Sequence, residues 1–319
     1  MEFLPGIHSL ETTMGPRPLF MYILRGDRTL LIDTGLPDTP TQVIFPYLEK
    51  IGINPAAVDL AIITHGDVDH FGGNYTLKQA APRCLILSHR IDMAWASDKE
   101  ITKAERYQMF EAEHGVGYDA DTLAWIMDLA GPPVPVDLGV SGGELIRVGP
   151  DWTVELFHAP GHTPGHLVVW DARNRAVFMG EAALGYGLCN LEGRYFSPPP
   201  YYDRDAYLGT LDLLERLKPR YLFNTHFGIM EREAAVKFLW ESRDYVERAD
   251  RALVEVLRGA GASGLTLKEL CARLDPVLGP YDNAEELGPA VTGHLNCMVK
   301  AGQVKVQAES GGYPRWALA

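Results

Sequence analysis

The chain has 319 residues and a formal net charge of -13, from 29 basic and 42 acidic residues. Hydrophobic residues make up 46% and mean hydropathy is -0.08, which supplies a sizeable core and excludes a disordered chain. No apolar run approaches the ~18 residues of a membrane span, and the acidic surplus does nothing to attract nucleic acid or an anionic membrane.

In chain order, apolar runs at 19–24 (LFMYIL) and 29–33 (TLLID) read as strands around the turn signal Arg25-Gly26-Asp27. An amphipathic helix is expected over 41–52, ended by glycine, then strands at 60–64 and 85–88. Residues 90–130 are rich in Ala, Glu, Lys and Met and read as two helices. Strands return at 144–148, 153–158, 167–170 and 176–180. The segment YFSPPPYY (195–202) must be extended, because consecutive prolines cannot continue a helix. A helix at 206–217, a strand at 221–224 and one or two helices over 234–257 follow. Two more helices are expected at 266–274, capped by Thr266 with Glu269, and at 284–301. The last elements are strands at 304–308 and 313–318, joined at Ser310-Gly311-Gly312. At ~150 residues per domain, the length fits a large domain over 1–244, with a helical insertion near 90–135, and a small one over 245–319. Three helices and a hairpin make the tail winged-helix-like. It carries eight basic against nine acidic residues, and its third helix has only Lys300, so DNA reading is not expected and packing or homodimer formation is.

The N-terminal MEFLPGIHSLETT lacks a basic segment leading into an apolar one, so no secretory signal is visible and a cytoplasmic location is the expectation. Cys84, Cys189, Cys271 and Cys297 are scattered, without a C-x-x-C pair, and read as free thiols.

The chemistry concentrates in Ala61–Asn74, AIITHGDVDHFGGN. In an extended loop, side chains two apart point the same way, so His65 and Asp67 can grip one ion. Asp69 and His70, on the next turn, can face a second. Such a cluster is costly to bury without a cation. Partners follow at strand ends: His162 within HAPGHTPGH, Glu181 after FMG, and His226 within NTHFG. His158 and His166 read as structural hydrogen-bonders and His89 as either a supporter of the site or an ordinary histidine. His8, His114 and His294 read as ordinary. Tyr201 and Tyr202 are candidates for lining a substrate pocket, with aromatic packing as the alternative. No serine-hydrolase elbow, P-loop or dinucleotide fingerprint is present.

Taken with Ile32-Asp33-Thr34-Gly35, these motifs over residues 1–240 resemble the metallo-β-lactamase superfamily, and the tail resembles its β-lactamase-like-2 branch. The resemblance implies an α/β fold, an αββα sandwich of two mixed sheets with helices outside and the metals at one edge. It implies two divalent ions, the first held by His65, Asp67 and His162, the second by Asp69, His70 and His226, with Glu181 bridging and Asp33 as a supporting residue. Two positions depart from the family pattern: H-x-D-x-D-H replaces H-x-H-x-D-H at Asp67, and Glu181 replaces an aspartate. A third carboxylate makes the site with two divalent ions and a hydroxide formally neutral and its shell oxygen-rich, which leans from zinc toward manganese or iron and depresses the pKa of the bound water less.

The expected activity is that of a metallo-hydrolase, with a metal-bridged hydroxide attacking a small ester, thioester or lactone and Asp69 shuttling the proton. The alternatives are a phosphodiesterase or RNA endonuclease, a non-haem diiron redox enzyme, and an inactive metal-binding or regulatory protein. The diiron reading is weakened because the stretch after the core is shorter than a typical electron-supplying domain.

Overall fold

The computed structural model describes residues 1–282, 284–307 and 312–319. Strands β1 (Glu2–Leu4), β2 (Ile7–Met14), β3 (Arg17–Arg25), β4 (Thr29–Ile32), β5 (Leu60–Ile62), β6 (Leu85–His89) and β7 (Leu138–Val140) form one sheet in that order. Its first four strands are an antiparallel meander, and β4 to β7 run parallel. The second sheet takes β8 (Leu145–Gly149), β9 (Trp152–His158), β10 (Leu167–Asp171) and β11 (Ala176–Gly180) as an antiparallel run. After the small hairpin of β12 (Leu188–Cys189) and β13 (Tyr195–Ser197), strand β14 (Tyr221–Asn224) joins it parallel to β11, and β15 (Gly228–Glu231) closes the edge.

The two sheets stack through alternate residues. Leu30, Ile32 and Ile62 meet Val154, Leu156, Val169 and Phe178 between the sheets. Leu31, Ala61 and Ile63 face the other way, onto Ile44, Leu48, Phe71 and Leu77 of the flanking helices. Val168, Val177 and Leu222 likewise face Tyr207, Leu211 and Leu214 on the far side. Both faces of the central strands are buried, which is why these segments read as continuous apolar runs. This is the expected sandwich of mixed sheets with helices outside.

The stretch after β6 is more broken than two helices. It holds Met93–Ser97, Lys99–Thr102, Lys103–Tyr107, Glu111–His114 and Ala120–Leu129. Asp98 leaves helical geometry to cap the second piece, Gly115 stops the fourth at φ 63°, and Asp119 caps the last. The 234–257 segment is one helix, Glu233–Ala260, and it runs through residue 245 without interruption. It is followed by helices Leu267–Leu278, with the Thr266–Glu269 capping box, and Gly288–Lys300. Strands β16 (Val304–Gln307) and β17 (Arg315–Leu318) pair antiparallel; Ala308 and the Ser310-Gly311 part of their expected turn lie outside the described residues. One cluster of buried side chains joins Val168 and Leu222 of the second sheet to Leu270, Val291 and Trp316 of the tail. The tail therefore packs as part of the main core. Among the described residues, no helix is long and apolar enough to cross a membrane.

Phe178 is fully buried, its ring 4.4 Å from Phe223 and 5.5 Å from Tyr22. Phe178→Ala is expected to lower stability by about 3–5 kcal/mol, through lost burial and a residual cavity, as read from the urea midpoint at constant m-value.

Candidate metal centre

Every functional side chain sits where a strand ends at the same edge of the sandwich. Thr64 and His65 follow β5, and the short helix Val68–Phe71 carries Asp69 and His70. His162 lies in the β9–β10 loop, Glu181 directly follows β11, and His226 follows β14. Two glycines permit this convergence. Gly161 has φ +135°, and a Cβ there would lie 2.5 Å from the Tyr207 Cα; Gly180 has φ +51°, with a Cβ 2.9 Å from Thr64 Oγ1.

The donor atoms fall into two groups, His65, Asp67, His162 and Glu181, and Asp69, His70 and His226, each group within 4.8 Å. In the first, His65 Nε2 is 3.1 Å from His162 Nε2 and 3.4 Å from Glu181 Oε2, and Asp67 Oδ2 is 3.2 Å from His162 Nε2. In the second, His226 Nε2 is 3.5 Å from Asp69 Oδ2 and 2.6 Å from Glu181 Oε1. Glu181 thus turns one oxygen to each group. Ligand bonds of ~2.0–2.1 Å in tetrahedral array put donors about 3.3 Å apart, close to most of these separations.

The imidazoles are also prepared from behind. His70 Nδ1 lies 2.8 Å from Asp33 Oδ2, His162 Nδ1 2.7 Å from the Pro200 carbonyl, His226 Nδ1 2.9 Å from the Pro18 carbonyl, and His65 Nδ1 3.1 Å from Thr64 Oγ1. Those oxygens favour the proton on Nδ1 and leave Nε2 as the free lone pair, the usual arrangement of metal-binding histidine. The Nε2 atom of His70 is buried without a hydrogen-bond partner among the described residues, and that of His226 faces Glu181 and Asp69. The donor set fits divalent cations.

Further residues, not recognised in the sequence, hold this array. Asp92 accepts from Thr163 Oγ1 (2.6 Å), Gly165 N (2.7 Å) and Gly66 N (3.3 Å), tying the His65 loop to the His162 loop. Asn224 Oδ1 accepts from the backbone of His226 at 2.8 Å. Arg106, in the segment after β6, donates from Nε and Nη2 to both oxygens of Asp67 at 2.6 Å. Both partners are buried. The Asp92 and Arg106 contacts join segments far apart in the chain, so no local pattern marks them, whereas Asn224 stands two residues before His226.

The remaining predicted residues divide. His166 Nε2 accepts from the Glu181 backbone at 3.1 Å, and its ring stacks on His65. His158 Nε2 donates to the Pro164 carbonyl at 2.8 Å and stacks on His89. Tyr202 lines the cleft beside the centre, with the Arg106 guanidinium 4.4 Å above its ring. Tyr201 does not: it is fully buried, and its hydroxyl meets His294 Nε2 at 2.6 Å. Successive residues of the extended proline run point opposite ways, so only one of the two tyrosines can face the cleft. His294 is more than an ordinary histidine: its Nδ1 lies 2.6 Å from Asp250, and its Nε2, 2.6 Å from the Tyr201 hydroxyl, links the tail to the loop that supplies the Pro200 carbonyl.

The cleft encloses about 120 Å³. Asp67, Asp69 and Glu181 form its floor, and Tyr107, Phe110, Tyr118, Trp125 and Tyr202 its walls. Arg17, Glu285, Glu286 and Pro289 also reach it, so the tail contributes to the rim. Burial acts to raise the Glu181 and Asp67 pKa values, but histidines around the first and Arg106 beside the second hold both well below the usual carboxylate range. Burial acts to lower the His70 and His162 pKa values. The carboxylates outweigh it, Asp33 and Asp69 raising His70 to about 10, and Glu181 and Asp67 raising His162 to about 9.

This fold and donor geometry define a metallo-β-lactamase-type protein, and sequence comparison agrees. Residues 14–226 match the model of the metallo-beta-lactamase superfamily, and the chain belongs to that family. It is 24% identical over 247 residues to the acyl-coenzyme A thioesterase MBLAC2 of Gallus gallus, covering 72% of this chain and 78% of that protein. It is 25% identical over 172 residues to an atrochrysone carboxyl ACP thioesterase of Aspergillus chevalieri, covering 52% and 51%. It is 24% identical over 187 residues to a putative diflavin flavoprotein of Nostoc, covering 58% of this chain but only 25% of that protein. In three dimensions it resembles a metallo-beta-lactamase family protein of Thermus thermophilus, with TM-score 0.74, 18% identity and 100% of both chains covered.

Two expectations follow. With their pKa values at about 10 and 9, His70 and His162 carry protons at pH 7.5 when no cation is bound, and must lose them to become ligands. Metal uptake should therefore release about two protons per chain, seen as buffer-dependent calorimetric enthalpies; no proton release would contradict the assignment. Removing Arg106 strands a buried carboxylate. Arg106→Met should cost the metal-free protein about 3–5 kcal/mol in urea unfolding, with most of it recovered by adding Asp67→His.

Proposed function

We propose that the protein is a metal-dependent hydrolase of small esters or thioesters, with two divalent ions held by His65, Asp67 and His162 and by Asp69, His70 and His226, and Glu181 between them. The observation that carries this reading is the convergence of seven buried donors, three of which, Asp67, Asp69 and Glu181, line an aromatic-walled cleft. Bound there, divalent ions supply Lewis acidity and a water of lowered pKa. The chain's own groups supply the rest. The apolar walls hold the acyl part and exclude water. Asp69, whose carboxylate lines the cleft, takes a proton from the attacking water and passes it to the leaving oxygen or sulfur.

Thioesterase relatives support the substrate class. Glu286 at the rim disfavours a nucleic-acid chain with its many phosphates. The manganese or iron lean loses its charge-based reason: counting Arg106, the site with two divalent ions and a hydroxide carries one positive charge, like the two-carboxylate sites of the family. The oxygen-rich donor set, with three carboxylates, still leans toward manganese or iron.

Zinc-, manganese- and iron-loaded protein should contain about two ions per chain and hydrolyse a short acyl thioester or 4-nitrophenyl ester in preference to bis(4-nitrophenyl) phosphate. Chelation should abolish turnover and re-addition of metal restore it. Asp69→Asn should lower kcat about 100-fold or more. A preference for the phosphodiester would overturn the substrate class. Four histidines with three carboxylates, and the flavoprotein match, favour a second reading as a diiron redox enzyme; it predicts oxygen consumption by the iron form with a reductant and no hydrolysis by any form.

A further inference from the structure

Two arginines line the cleft, and they differ in what they face. Arg106 is committed to Asp67. Arg17 makes no hydrogen bond or ion pair among the described residues; its guanidinium stands 4.9 Å over the Phe196 ring. It is the first residue of β3, paired with Met14 across the Gly15-Pro16 turn. One residue further on, the Pro18 carbonyl holds His226 Nδ1 at 2.9 Å. The backbone that orients a candidate metal ligand therefore also sets where Arg17 stands.

A partly buried guanidinium has lost some of its water and normally recovers the cost through a carboxylate or other oxyanion. The nearby carboxylates are otherwise engaged. Asp69 and Glu181 point into the donor groups, and Glu286 accepts the Ser197 hydroxyl. The remaining wall is mostly aromatic and aliphatic. The position thus offers a guanidinium with no direct hydrogen-bond or ion-pair partner among the described residues, at the side of the cleft and within electrostatic reach of Glu286, Asp69 and Glu181.

We propose that Arg17 binds an anionic group of the substrate, so that the ester or thioester hydrolysed here carries an oxyanion, in the simplest case a carboxylate, on an apolar acyl chain. The proposal rests on the hydrolase reading for the reaction, but not for the binding.

The experiment compares 4-nitrophenyl butyrate with mono-4-nitrophenyl glutarate, which adds one carboxylate, in the metal-loaded wild type, Arg17→Lys and Arg17→Met. The glutarate ester should have about a ten- to hundredfold higher kcat/KM in the wild type. That ratio should shrink in Arg17→Lys and approach one in Arg17→Met, mainly through KM. Calorimetric binding of 4-phenylbutyrate against 4-phenylbutyramide gives a readout that needs no turnover. The wild type should prefer the carboxylate, and Arg17→Met should lose that preference. Equal turnover of both esters by the wild type overturns the proposal. So does an unchanged ratio, or an unchanged preference for phenylbutyrate, in Arg17→Met, because the anion would then sit on the metals. If neither ester is hydrolysed, the hydrolase reading fails, and the binding comparison alone decides the role of Arg17.

Discussion

Three carboxylates and four imidazoles share one buried volume at the edge between two sheets, and this concentration of ionisable groups governs much of the surrounding structure. Left alone, the carboxylates would repel one another in a low-dielectric space. In the absence of a cation His70 and His162 offset that repulsion by taking up protons, as their raised pKa values express. A divalent ion does the same with more charge and better geometry. The tied Nδ1 atoms would favour an ion: each imidazole is already turned with its lone pair inward, so little ordering is left for binding to supply.

Arg106 belongs to the same electrostatic balance. The family pattern places a neutral histidine where this chain has Asp67, and an extra buried charge would be expensive by itself. The guanidinium meets both carboxylate oxygens, so the pair as a whole is neutral, as the histidine would be. The irregular helical segment after β6 therefore does more than cover the mouth of the cleft. It carries the counter-charge that makes Asp67 tolerable, and it stacks that charge on Tyr202, a cleft wall.

The tail is joined to the centre by a buried chain of contacts. Asp250 holds His294, His294 meets the Tyr201 hydroxyl, and the residue before Tyr201 presents its carbonyl to His162. Glu286 binds Ser197 in the same loop. These links, and the continuous core from the second sheet to Trp316, make the tail a buttress of the site. Its balanced charge and single basic residue on the last helix agree with a packing role.

The sequence by itself pointed to the family, to most of the strands along the chain and to the seven candidate donors, because each is written locally: apolar runs for strands, and histidines and acids at fixed short spacings where strands end. It also marked Asp33, whose carboxylate meets His70. It did not show which of Tyr201 and Tyr202 faces the cleft, since that depends on the rotation of an extended segment, set by packing against Tyr207 and His294. Nor did it show Arg106, Arg17 or Asp92, which reach the centre from strands and loops whose partners are dozens of residues away or on another sheet. Metal-ligand spacing is a property of the chain, but the neutralisation of a buried charge and the placing of an unpaired one are properties of the space the folded chain encloses. Only the tertiary structure decides those, because Coulomb interactions and desolvation depend on distance through that space and not along the sequence.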